Sequence, residues 1–95
     1  MSSPHYVAET QILRRVACNP GCRILWGRHA PQQMAARGIN AEDVIHALMN
    51  GQVTLEEYKR DVLWRVRGKD IDGNPLEVVV AVYEETITIK MVTTF

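Results

Sequence analysis

Ninety-five residues, 46% of them apolar and with a formal net charge of zero, make one domain, because a chain this short buries only roughly 60–65% of the surface its unfolded form exposes. The neutral total argues against a protein that coats nucleic acid through a general basic excess, and two cysteines are too few for a disulfide framework. No apolar run reaches the roughly 20 residues of a membrane-spanning helix, and "MSSPHYVAETQ" lacks the basic-then-apolar order of a leader, so a cytoplasmic location is expected.

The charge is segregated along the chain. Residues 1–40 hold Arg14, Arg15, Arg23, Arg28 and Arg37 against Glu9 alone, whereas residues 41–58 hold Glu42, Asp43, Glu56 and Glu57 and no base. A local cationic site therefore survives the neutral sum.

In chain order, "SPHYVAETQILRRVACNPG" reads as a helix with Ser3 as cap, Pro4 in the first turn, and Ile12, Leu13, Val16 and Ala17 as an apolar stripe. "CNPG" breaks it, and "CRILW" is a short extended candidate. Residues 28–37 form a second helix, with Pro31 tolerated in its first turn, Ala30 and Met34 facing inward, and Gly38 as the left-handed residue that ends it. Asn40 caps a third helix, Ala41 to Asn50. Its third position, Asp43, meets free backbone donors, its buried face is Val44, Ile45, Leu48 and Met49, and Gly51 stops it.

From Val53 the pattern alternates, and "VTLEEY", "VLWRVRG", "PLEVVVAVY" and "TITIKMVTTF" read as four strands. The expected architecture is α+β, with two to three helices on one face of a four-stranded antiparallel meander. A three-residue loop, Ile71-Asp72-Gly73, sets Val66 opposite Val78, Trp64 opposite Val80 and Arg67 opposite Glu77, because a two-residue loop would bury Arg65 and Arg67. A two-residue turn at Glu84-Glu85 would place Val82, Val80 and Val78 opposite Ile87, Ile89 and Met91. Arg65, Val79 and Lys90 then share a row on the outer face, near Thr86, Thr88, Tyr83 and Tyr58.

Three constellations bear chemistry. His29 and Arg37 lie eight positions apart on the second helix, about 80° around its axis with Gln33 between them. An imidazole and a guanidinium bordering one groove suit phosphodiester cleavage, in which a base activates a hydroxyl and a cation holds the charged phosphate. The plain alternative is a packed or capping His29 and a solvated Arg37 at a helix end. Arg65, Arg67 and Lys90 on the outer sheet face suit an acidic partner or a nucleic-acid backbone, or are an ordinary solvated face. Cys18 and Cys22 with a histidine could hold zinc, but one Cys-x3-Cys pair is a weak signal, and no metal or cofactor is expected. His46 lies about 200° from the buried stripe and reads as surface.

"RHAPQQMAARGINAEDVIHALMNGQV", "WRVRGKDIDGNPLEVVVAV" and "ITIKMVTTF" resemble DUF4258, a small bacterial domain family of unknown function. His29-Ala30, Arg37-Gly38-Ile39 and Asp43-Val44 carry the resemblance most specifically. It covers residues 24–95 as the domain and leaves residues 1–23 as a helical extension. The family is similar to the RelE and BrnT group of ribonuclease toxins, which implies a metal-independent endoribonuclease or an inactive relative. RNA and an antitoxin-like protein are the implied partners, and the chain is expected as a monomer or homodimer. On that resemblance His29, Arg37 and Arg65 are the catalytic candidates, with Arg28, Arg67 and Lys90 binding substrate. The competing expectation is a non-catalytic module that docks a partner or a second copy through the basic sheet face or an edge strand.

Overall fold

The computed structural model describes residues 6–94. Three helices, α1 (Val7–Ala17), α2 (Ala30–Ala36) and α3 (Ala41–Asn50), accompany five strands: β1 (Arg23–Trp26), β2 (Gln52–Tyr58), β3 (Val62–Lys69), β4 (Pro75–Tyr83) and β5 (Thr88–Thr94). The sheet order is β1-β5-β4-β3-β2, with β1 parallel to β5 and the other pairs antiparallel. The domain is α+β as expected, but the sheet is a mixed five-stranded one. "CRILW" supplies the extra strand, placing β5 between β1 and β4.

Local chemistry accounts for the helices. Asn40 and Asp43 form a reciprocal capping box: Asn40 accepts from the Asp43 N–H at 2.9 Å and Asp43 accepts from the Asn40 N–H at 3.1 Å. Gly38 follows α2 at φ +67, the left-handed conformation expected of it. Arg14 reaches from α1 to the exposed carbonyls at the end of α3, donating to Gly51 at 3.1 Å and Asn50 at 3.3 Å, where cations are favoured. Ser3 and Pro4, expected to start the first helix, lie outside the described residues; the described helix begins at Val7.

All three helices contribute to one core on one side of the sheet: Leu13 and Val16 from α1, Ala30 and Met34 from α2, Val44, Ala47 and Leu48 from α3. Facing them are Val53, Trp64, Val66, Leu76, Val78, Val80, Ile89 and Met91. Met49, expected inside, is 43% exposed, and Ala47 is buried instead, in the turn of α3 that rests on Gly51 and Gly68.

The β3–β4 hairpin has the expected register, with Trp64 opposite Val80, Val66 opposite Val78, Arg67 opposite Glu77, and Gly73 left-handed at φ +84. The β4–β5 hairpin differs. Glu84–Thr86 forms a turn of 3-10 helix and Ile87 adopts φ +51, so the loop is longer and Val82 faces Ile89, Val80 faces Met91 and, past a bulge, Val78 faces Thr94. The slip is even-numbered up to the bulge, so the same residues still face the core.

Candidate functional site

The face of the sheet turned away from the helices is built by the alternate residues of each strand. On it, Leu55 faces Arg65, Arg65 faces Val79, and Val79 faces Thr93. Lys90 pairs instead with Ala81 and with Leu25 of β1. The expected row of Arg65, Val79 and Lys90 is thus corrected by the longer β4–β5 loop: Lys90 is offset from Arg65 by two residues, about 7 Å along the strands, as well as by two strand spacings across them. Tyr83 stays on this face, whereas Tyr58 falls with Glu56 and Trp64 on the other, because the β-bulge after Val53 resets the alternation of β2.

This face is not simply solvated. Val79 and Ala81 are 7% and 1% exposed, and Arg65 is half-buried. Leu63, Ala81 and Val92 floor a cleft of about 360 Å³ whose other lining residues are Lys59, Arg60, Asp61 and Lys90. Lys59, Arg60 and Asp61 come from the β2–β3 turn, closed by the Lys59 N–H donating to the Asp61 carbonyl at 3.0 Å. The Asp61 carboxylate is already engaged, accepting from the Val62 N–H at 3.1 Å and from the Tyr83 hydroxyl. That acceptor holds the Tyr83 phenol above its ordinary range, because ionising it would put two anions in contact. Three bases against one occupied acid leave the rim at a formal +2.

Lys59, Arg60, Leu63 and Val92 were not among the residues expected at a site. The adjacent Lys59 and Arg60 between two strand patterns were the available signal; the apolar floor depends on pairing that sequence alone does not display.

Among the expected residues, Arg67 is exposed on the same outer face, opposite Glu77. The one ion pair among the described residues is elsewhere, between Arg15 and Glu84 at 3.1 Å. His29 and Arg37 are the N-terminal and C-terminal caps of α2, both exposed, and Arg28 is exposed just before them. Eight residues of helical rise separate His29 from Arg37 by about 12 Å along the axis. Gln33 between them turns to β5: its Oε1 accepts from the Thr93 hydroxyl and from the Thr94 N–H at 3.3 Å. It covers the stretch of β5 edge that β1, ending at Trp26 opposite Met91, leaves open.

Cys18 and Cys22 are free thiols, and burial pushes the Cys22 thiol up. No group of three His, Cys, Asp or Glu side chains able to hold a metal occurs among the described residues.

A family model described as a domain of unknown function, DUF4258, matches residues 26–95. The chain belongs to the DUF4258 family. No curated protein and no solved structure matches it. The matched stretch of this DUF4258 domain contains β2 to β5, α2, α3 and the whole outer cleft, but only the last residue of β1, Trp26. No helix among the described residues is long and apolar enough to cross a membrane.

Proposed function

We propose that this domain is a binding module whose outer sheet face takes an acidic segment of a partner protein. The observation that carries the reading is the cleft with an apolar floor of Leu63, Ala81 and Val92 and a rim of Lys59, Arg60 and Lys90. A segment with alternating apolar and acidic residues sets its apolar side chains on that floor and its carboxylates on the rim cations, which gives both contact and orientation.

The cleaving reading, with His29, Arg37 and Arg65 as its centre, has less support. Its two helix residues cap opposite ends of α2, and Arg65 belongs to the sheet face turned away from the helices. General acid-base work on one phosphate requires groups within hydrogen-bond reach of the same atoms.

Fluorescence anisotropy with a labelled peptide of alternating Glu and Leu, and with an RNA oligomer of equal length, tests the proposal. The peptide is expected to bind with an affinity that falls as salt rises, and the double variant Arg60→Glu, Lys90→Glu to weaken it at least about tenfold. Preferential binding of the RNA, with cleavage abolished by His29→Ala, would instead establish the toxin-like endoribonuclease.

A further inference from the structure

The bonds that hold β1 to the sheet fix which of its groups stay open. The Arg23 N–H donates to the Ile87 carbonyl at 3.0 Å and the Gly27 N–H to the Met91 carbonyl at 2.7 Å, at the two ends of the parallel pairing with β5. Successive residues of a strand turn their N–H and C=O groups to opposite edges. Arg23, Leu25 and Gly27 therefore face β5, and Ile24 and Trp26 present their backbone groups to the other side, where the sheet ends. Those N–H and C=O groups make no hydrogen bond among the described residues.

Elsewhere the border of the sheet is defended. On β2, the other edge strand, the Val53 N–H is taken by the Thr10 hydroxyl at 3.0 Å, a bulge follows between Val53 and Leu55, and Glu56 and Glu57 stand within the strand. On β5 beyond Trp26, Gln33 accepts from the Thr94 N–H. Bulges, charges and covering side chains are how an edge is kept from further pairing. From Ile24 to Trp26 β1 has none of these: no bulge interrupts its pairing, and Leu25 and Trp26 are exposed apolar side chains.

The flanks of this edge are cationic. Between Glu9 and Glu42 the chain holds Arg14, Arg15, Arg23, Arg28 and Arg37 and no acid. Arg14 is occupied by the carbonyls that end α3 and Arg15 by Glu84. Arg23 and Arg28, on either side of the open stretch, are exposed and in no ion pair among the described residues. Arg23 and Leu25 lie on the outer face, with Lys90 opposite Leu25, whereas Ile24 and Trp26 lie on the helix side.

We propose that this edge takes an extended acidic segment of a partner protein as a sixth strand. Its main chain exchanges hydrogen bonds with Ile24 and Trp26, and its side chains stand about 4.5–5.5 Å at Cβ from those of β1. A carboxylate opposite Arg23 pairs with the guanidinium, and apolar residues opposite Ile24, Leu25 and Trp26 cover them. A second copy of the chain fits less well, because its own β1 brings arginines and no acid to the seam. The edge uses neither Lys59, Arg60, Leu63 nor Val92, so it stands whether or not the outer-face cleft binds.

Amide hydrogen exchange of the intact chain, resolved residue by residue by NMR with and without the peptide Glu-Val-Leu-Val-Glu, tests this. The peptide reads the same in either strand direction. Exchange at Ile24 and Trp26 is expected to slow saturably as peptide is added, and to slow less as salt rises. Ile24→Pro deletes an outward N–H and leaves the bonds to β5 intact, the position at which a strand tolerates proline, and should weaken the effect at Trp26 about tenfold. Arg23→Glu tests the charge without touching the backbone: it should lose the glutamate peptide and bind Lys-Val-Leu-Val-Lys instead. Lys69→Glu, exposed on β3, should change neither. Slowing confined to Leu63, Ala81 and Val92, slowing at Ile24 and Trp26 that grows with protein concentration in the absence of peptide, equal binding of both peptides by the wild type, or a folded Ile24→Pro protein protected as wild type would each overturn the proposal.

Discussion

Replacing Gly68 by alanine adds one methyl group at the tightest helix–strand contact of the domain. The new Cβ would sit 2.2 Å from the Ala47 carbonyl oxygen and 2.9 Å from its carbon, against an ordinary contact of 3.4 Å or more, so α3 must retreat by about 1 Å. The Asn50 side chain, whose Oδ1 would lie at 2.9 Å, can turn aside, but the two Ala47 atoms are backbone within a helix whose Val44, Ala47 and Leu48 are fully buried and cannot. Overpacking of this kind costs about 1–3 kcal/mol and more where the surroundings are rigid, so Gly68→Ala is expected near the upper value, about 3 kcal/mol. For a domain of this size each kcal/mol lowers Tm by roughly 4–8 °C, which puts the expected loss at roughly 12–24 °C. Gly38→Ala supplies the comparison, because at φ +67 with nothing within 4 Å its cost is conformational alone, about 1–2 kcal/mol. Thermal and urea unfolding followed by circular dichroism measure both. The reasoning fails if Gly68→Ala is no more destabilising than Gly38→Ala.

Asn40→Ala removes one half of the capping box and should cost about 0.5–2 kcal/mol by urea unfolding. Leu13→Ala, at a fully buried contact between α1 and the core, should cost about 2–5 kcal/mol, showing that α1 is integral to the fold's stability. Glu56 accepts from the Tyr58 hydroxyl at 2.8 Å and holds that phenol above its ordinary range. Glu56→Gln should therefore bring Tyr58 ionisation down in an ultraviolet titration. Because the Tyr58 and Tyr83 phenols ionise less readily folded than unfolded, their contribution to stability is complete below about pH 10 and declines as pH rises through the folded-state values. Denaturation midpoints should hold up to about pH 10 on this account and fall above it, and fall less in Asp61→Asn and Glu56→Gln.

The parts of the fold legible in the sequence are those decided by neighbours in the chain. The β3–β4 register follows from placing Arg65 and Arg67 outside and from a glycine at position 73, both visible locally. The β4–β5 register depends on Ile87 adopting a left-handed conformation, which a β-branched residue does not advertise. β1 reads only as a weak extended segment because its partner is β5, with Arg23 opposite Thr88, 65 positions along the chain. The same limit governs the sites. Arg67 and Lys90 could be placed on the outer face from alternation, but the floor beneath Lys90 needed the true strand pairing. His46 reads as surface and is exposed, but its contact with the Lys69 carbonyl, 23 residues away, has no local signal.

The parallel pairing of β1 with β5 also sets the order in which the protein can be assembled as it is synthesised. β5 is made after the other four strands of the sheet, yet it sits inside it, and the edge that receives β1 does not exist until it emerges. Such distant pairing slows folding, because the chain between the partners must be closed before the contact stabilises anything. During translation β1 therefore waits with Leu25 and Trp26 unpaired, while the β3–β4 hairpin can already form. The interval in which β1 is most exposed to chaperones and to aggregation falls before the seven-residue β5 leaves the ribosome.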